Sequence, residues 1–204
     1  MNDIELPQGS TYRAIARWGV PACTLKAITA ISLTAPATLT VPSHGLVNGW
    51  PVTIEGADSM EAYVRDDLGG VTLEPITKHQ HSASPVDDDT ITLPCVNTLA
   101  SKAYAGKAAL RYNAPVDMAG YAGRLQVRNK AGDLLISLTS DDGDIIINNT
   151  TKTIEVVFMA SHTVGATWKS ASFALEMYVV IDSKEYVTTV ASGEVILIRE
   201  TVRP

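Results

Sequence analysis

The stretch 113–128 constrains the fold more than any other part of the chain. Pro115 fixes its own φ, Gly120 and Gly123 permit bends that other residues resist, and from Arg124 polar and apolar residues alternate with period two. Such a stretch is a corner that feeds straight into a half-buried strand. Near the start of the sequence, 8–18 carries a second strand pattern. There Tyr12, Ala14, Ala16 and Trp18 share one face and Arg13 and Arg17 the other, which places Trp18 in the core.

Almost nothing else has a helical period. β-Branched or alternating runs bounded by Gly, Pro, Asn and Asp recur from end to end, the pattern of an all-β protein. Strands are expected at 25–33, 37–41, 70–74, 89–93, 134–139, 145–147, 153–158 and 172–181, with a short helical turn at 161–168. The alternation Phe173, Leu175, Met177, Val179, Ile181 is the longest and predicts a central strand. Asp182-Ser183-Lys184-Glu185 then turns a hairpin into 186–191, and 193–199 closes the domain. The polar stretch 78–89 reads as the most exposed loop, and loop tips at 58–68 and 78–89 are expected partner sites.

The chain has 204 residues, 46% of them apolar, so it can bury a substantial core as one large or two small domains. No apolar run reaches membrane-spanning length, and the first residues lack the basic start and apolar centre of a leader, so folding in the cytoplasm of the producing cell is expected. The net charge of −6 and the dispersal of the sixteen Lys and Arg argue against a duplex-binding surface. Arg13, Arg17, Arg111, Arg124 and Arg128 do gather near the corner. They are either the solvated outward positions of paired strands or a docking patch for an acidic neighbour. Cys23 and Cys95 form no CxxC pair and carry no zinc signature; buried or half-buried thiols are favoured over a disulfide, which would staple the neck of the middle segment.

The corner, P-V-D-M-A-G-Y-A-G-R-L-Q-V-R over 115–128, together with the 8–18 strand and the later I-x-L-x-T and D-G-x-I runs, resembles the immunoglobulin-like N-terminal domain of phage baseplate upper proteins and similar tail proteins. Within the middle segment, H-G-L-V-N-G-W-P-V-T-I-E-G over 44–56 is similar to a small β-barrel motif of ubiquitin-activating enzymes that many phage structural proteins reuse; it implies a fold and not ubiquitin chemistry. The resemblance implies an all-β protein, an immunoglobulin-like β-sandwich built from 1–21 and 108–204, interrupted by a small inserted β-barrel at 22–107. It implies a virion adaptor of the tail, baseplate or head-to-tail neck, acting in several copies with other phage structural proteins.

Little here suggests catalysis. His79 and His81 are two apart and could share a metal with Asp87, Asp88 or Asp89, but a polar loop explains the same residues without a ligand. Asp141-Asp142-Gly143-Asp144 lacks the spaced acidic series of a calcium loop, Ser43-His44 lies in no G-x-S-x-G elbow, and no phosphate-cradling loop occurs. No cofactor or metal is expected. Candidate partner contacts are Arg13, Arg17, Arg124, Arg128, Trp50, Tyr63, His79 and His81. An alternative use is a receptor- or carbohydrate-binding module at a tail tip, with Trp50, Tyr63 and His44 as a sugar platform.

Overall fold

A computed structural model of the protein describes residues 3–65, 69–104 and 106–199. Its strands, in chain order, are β1 (Ile4–Pro7), β2 (Tyr12–Ala16), β3 (Gly19–Ile28), β4 (Ala30–Ile31), β5 (Ala37–Thr40), β6 (Trp50–Glu55), β7 (Glu61–Arg65), β8 (Val71–Pro75) and β9 (His81–Pro85). They continue with β10 (Thr90–Leu93), β11 (Val96–Asn97), β12 (Ala108–Pro115), β13 (Ala122–Arg128), β14 (Leu134–Thr139), β15 (Ile145–Asn148), β16 (Thr153–Phe158), β17 (Ser170–Ile181) and β18 (Lys184–Ile198). A 3-10 turn at Ala160–His162 is the one helical piece among the described residues. The protein is all-β, and it groups into two compact units, Met1–Trp18 with Val116–Pro204, and Gly19–Pro115.

The first unit is a β-sandwich. One sheet runs β1-β18-β17-β13-β14 and the other β15-β16-β2, and the two close on a shared core that includes Leu6, Leu125, Leu138, Ile154, Val156, Phe158 and Leu175. Alternation makes this possible: along β13, Leu125 and Val127 turn inward while Arg124 and Gln126 stay half-exposed. β17 occupies the middle of its sheet, with Phe173, Leu175 and Met177 buried. Leu134, grouped by its spacing with Ile136 and Leu138, is instead exposed, because the β13–β14 ladder slips at Val127/Arg128 and displaces it from the buried set. β17 and β18 are joined by Asp182 and Ser183, both at positive φ (49° and 61°), the backbone of a tight two-residue turn that matches strand twist. β2 lies beside β16, Tyr12 opposite Phe158, although the two are far apart in sequence. Gly123 leaves room for the core beneath it, since a Cβ there would sit 2.9 Å from Ile145 Cγ2 and force that side chain to shift.

The second unit has a seven-stranded sheet, β3-β12-β6-β9-β10-β5-β4, and a three-stranded one, β11-β7-β8, over a core centred on Trp50, Leu39, Ile54, Ile91, Leu93 and Leu110. Trp50, Val52 and Ile54 all face that core, as their spacing requires. Its first and last residues are neighbours, Gly19 standing opposite Pro115. The boundaries therefore fall at 18/19 and 115/116. Residues 108–115, grouped by sequence with the sandwich, pair with β3 and β6 instead. Two expected loops each contain a strand. Within 58–68, Glu61–Arg65 form β7 and 66–68 lie outside the described residues; within 78–89, His81–Pro85 form β9 between β6 and β10.

Candidate functional site

The corner is held by a compact polar network. The Val116 amide donates to the Trp18 carbonyl at 3.0 Å, and the Trp18 ring meets Tyr121 edge-on, centroids 5.0 Å apart. Asn149 ties the loop down, accepting from the Met118 amide at 2.8 Å and donating to Asp117 Oδ1 at 2.7 Å. That donation, with the Ala119 amide and Lys152 nearby, holds the Asp117 carboxyl below its ordinary range. With Met118 buried beneath, the corner delivers β13 in one fixed orientation.

The arginines do not form one patch. Arg13 and Arg17 belong to β2 and its end, in the three-stranded sheet, whereas Arg124 and Arg128 belong to β13, in the five-stranded sheet. Outward residues of two sheets that share a core point in opposite directions. Each is also engaged. Arg13 pairs with Glu155 at 2.6 Å, and Arg17 donates to the Thr151 carbonyl at 3.1 Å, partial desolvation lowering its pKa. Arg128 reaches Gln126 Oε1 and, at 2.7 Å, the Gly132 carbonyl. Arg124 bridges Glu176 at 2.7 Å and Glu185 at 2.8 Å and lies 5.2 Å from the Tyr178 ring centre; its pKa is raised, first by the Glu176 bond. Arg111 lies in the second unit, bonded to Glu55 and to Cys23 Sγ.

In the second unit, Trp50 and His44 are buried, so neither is presented to a ligand. Trp50 Nε1 donates to the Asn113 carbonyl at 2.9 Å. His44 accepts the Leu46 amide at Nδ1 and donates from Nε2 to the Asp87 carbonyl, while Tyr112 donates its hydroxyl to the His44 carbonyl. Tyr63 is exposed. It stands on β7 between two hollows, one of about 460 Å³ bounded by Pro36, Val71, Cys95 and Asn97, the other of about 350 Å³ bounded by Glu61, Leu73, Ser101 and Lys102. Cys23 and Cys95 are free and exposed, contrary to the buried thiols that composition suggested, because each sits on the solvent side of a strand or turn.

His79 and His81 are not brought together as a ligand pair. His79 is exposed and contacts Glu74 at 2.6 Å, whereas His81 is buried on β9 with Nε2 2.7 Å from the Ile76 carbonyl. No cluster of three metal-ligating side chains occurs among the described residues. Burial pushes the His81 pKa below 6.5, against smaller raising effects of the Ile76 carbonyl and Glu74, with His79 adding to the depression. The folded state thus prefers neutral His81, and the unfolded chain binds the extra proton. Stability should hold above pH 6.5 and fall as pH drops below it toward the depressed folded value. The slope from this group is at most about 1.4 kcal/mol per pH unit. Urea unfolding of His81→Gln, which retains a donor toward Ile76, should lack that part of the acid loss.

A scan of protein-family models and a search of curated proteins both return no match for this chain. The surfaces that stand out are ones that residue type did not flag. Val71 and Leu73 are exposed on β8 beside Tyr63, and Val180, Ile181, Tyr186 and Val187 are exposed around the β17–β18 turn.

Proposed function

We propose that this chain is a non-enzymatic structural component of a bacteriophage virion, an adaptor of the tail, baseplate or head-to-tail neck. The observation that carries the reading is the 113–128 corner, whose Asp117–Asn149 network sets β13 as an inner strand of a sheet flanked by β17 and β14. In this reading the first unit is an immunoglobulin-like sandwich that binds a ring or tube of other phage proteins, and Gly19–Pro115 is an inserted barrel that touches a second component. The mechanism is geometric: each copy buries modest area, and closed symmetry multiplies weak contacts into a stable assembly. The chain is made in the host cytoplasm and ends in the particle. Quantitative mass spectrometry of purified particles from the producing culture tests it. A fixed, multi-copy stoichiometry is expected, and absence from intact particles overturns the reading.

Tyr63 and its two flanking hollows favour a second reading, carbohydrate binding at a tail tip, because an exposed ring between concave, partly polar surfaces suits the apolar face of a sugar. Glycan-array binding by the isolated protein, lost in Tyr63→Ala with no change in thermal stability, supports it. No binding on the array counts against it.

A further inference from the structure

The five-stranded sheet ends in a two-stranded arm. β13 follows β17 only as far as Tyr178, opposite Ala122, and β1 joins β18 only from Val195. Between these limits 179–186 are paired by nothing but each other, and no strand pairs the outer side of β18 over 184–194 among the described residues. An isolated two-stranded ribbon gains little from its own ladder in water, and a third strand changes that. Every position from Val180 to Thr189 is exposed, including Val180 at 61%, Tyr186 at 54% and Val187 at 43%.

Edges elsewhere are short or guarded. β4 and β11 are two residues long, β15 four and β2 five, β1 and β8 end in Pro7 and Pro75, β3 carries Pro21, and β14 faces a slipped register. The 184–189 edge has no proline, and the extra residue of this hairpin, Val190 between Thr189 and Ala191 of β18, falls just past its end. The closing pair Ile181–Lys184 bonds across the turn, so along β18 the alternate residues Glu185, Val187 and Thr189 turn their amides and carbonyls away from β17.

We propose that this edge pairs antiparallel with the same edge of a second copy of the chain, about a two-fold axis at Val187. The sequence is self-complementary in that register. Val187 meets Val187, Glu185 meets Thr189 and Tyr186 meets Thr188, the ladder stopping before the bulged Val190, so no like charges stand opposite and an aromatic faces a β-branched side chain. The pairing satisfies the outward amides and carbonyls and joins the two sheets into one. An isologous contact of this kind closes as a dimer. It does not depend on the virion reading.

Sedimentation equilibrium of the full chain tests it, together with amide exchange. The wild type is expected to dimerise, with the Glu185, Val187 and Thr189 amides slowed as the dimer fills. Val187→Glu sets two carboxylates face to face beside the Glu185 pair and should weaken dimerisation by about tenfold or more. An equimolar mixture of Val187→Glu and Val187→Lys should recover a mixed dimer. Monomer at all concentrations, dimerisation unchanged in Val187→Glu, or a dimer whose three outward amides exchange freely would each overturn the proposal. The exchange arm reads the wild type itself, so a variant that fails to fold does not remove the test.

Discussion

Replacing Trp50 by alanine is expected to destabilise the Gly19–Pro115 unit by about 4–5 kcal/mol, measured by urea unfolding. Trp50 is among the largest fully enclosed side chains, on a strand that pairs with β12 on one side and β9 on the other. Truncating a buried tryptophan costs about 3–5 kcal/mol in lost transfer energy and cavity. Removal of the indole N–H also leaves the Asn113 carbonyl without its 2.9 Å donor, an additional cost of about 1 kcal/mol. Trp50→Phe separates the two, keeping most of the volume and losing the bond, and should cost about 1–2 kcal/mol. Hydrogen exchange should show protection lost in β5, β6, β9 and β10 and retained in β13 and β17, since each unit has its own core. A loss below about 1 kcal/mol for Trp50→Ala would be incompatible with a core role.

Why a sugar platform at Trp50 fails while the strand around it succeeds shows what sequence carries. Period-two alternation reports that Val52 and Ile54 share a face, and they do, with Trp50 on the same side. It does not report whether that face meets solvent or another sheet. The same limit splits the arginines: alternation sets Arg13 and Arg124 outward, but the sheet to which each strand belongs is decided by long-range pairing. His81 was obscured for another reason. His81-Ser82-Ala83-Ser84-Pro85 has the composition of a loop, and it becomes a strand because Val52 and Ile91 supply ladder partners on its two sides. The 108–115 run alternates equally well for either unit, so the boundary could not be read from it. Turn chemistry was more legible, because Asp182 and Ser183 sit where a short hairpin demands positive φ. The exposed hairpin arm needed the structure, since only the register shows where β13 stops.

Phe158→Ala should cost the first unit about 4 kcal/mol and loosen its N-terminal strand selectively. Phe158 is fully buried at the end of β16, opposite Tyr12, with the two rings tilted at 49° and their centroids 6.4 Å apart. The ring therefore fills the sandwich core and backs the attachment of β2, an edge strand held on one side only. Loss of the aromatic pair accounts for about 0.5–1.5 kcal/mol, and the cavity left among Ile154, Val156 and their neighbours for the larger remainder. Trypsin reads the outcome directly, because Arg13 and Arg17 lie on and just after β2, and cleavage there requires the strand to leave the sheet. Cleavage should accelerate in Phe158→Ala. Ile15→Ala is the contrast, in the same strand but 65% exposed, and should change stability by less than about 0.5 kcal/mol. Equal acceleration by both substitutions would mean that β2 is held by its backbone ladder alone and that the core beneath it contributes nothing to its attachment.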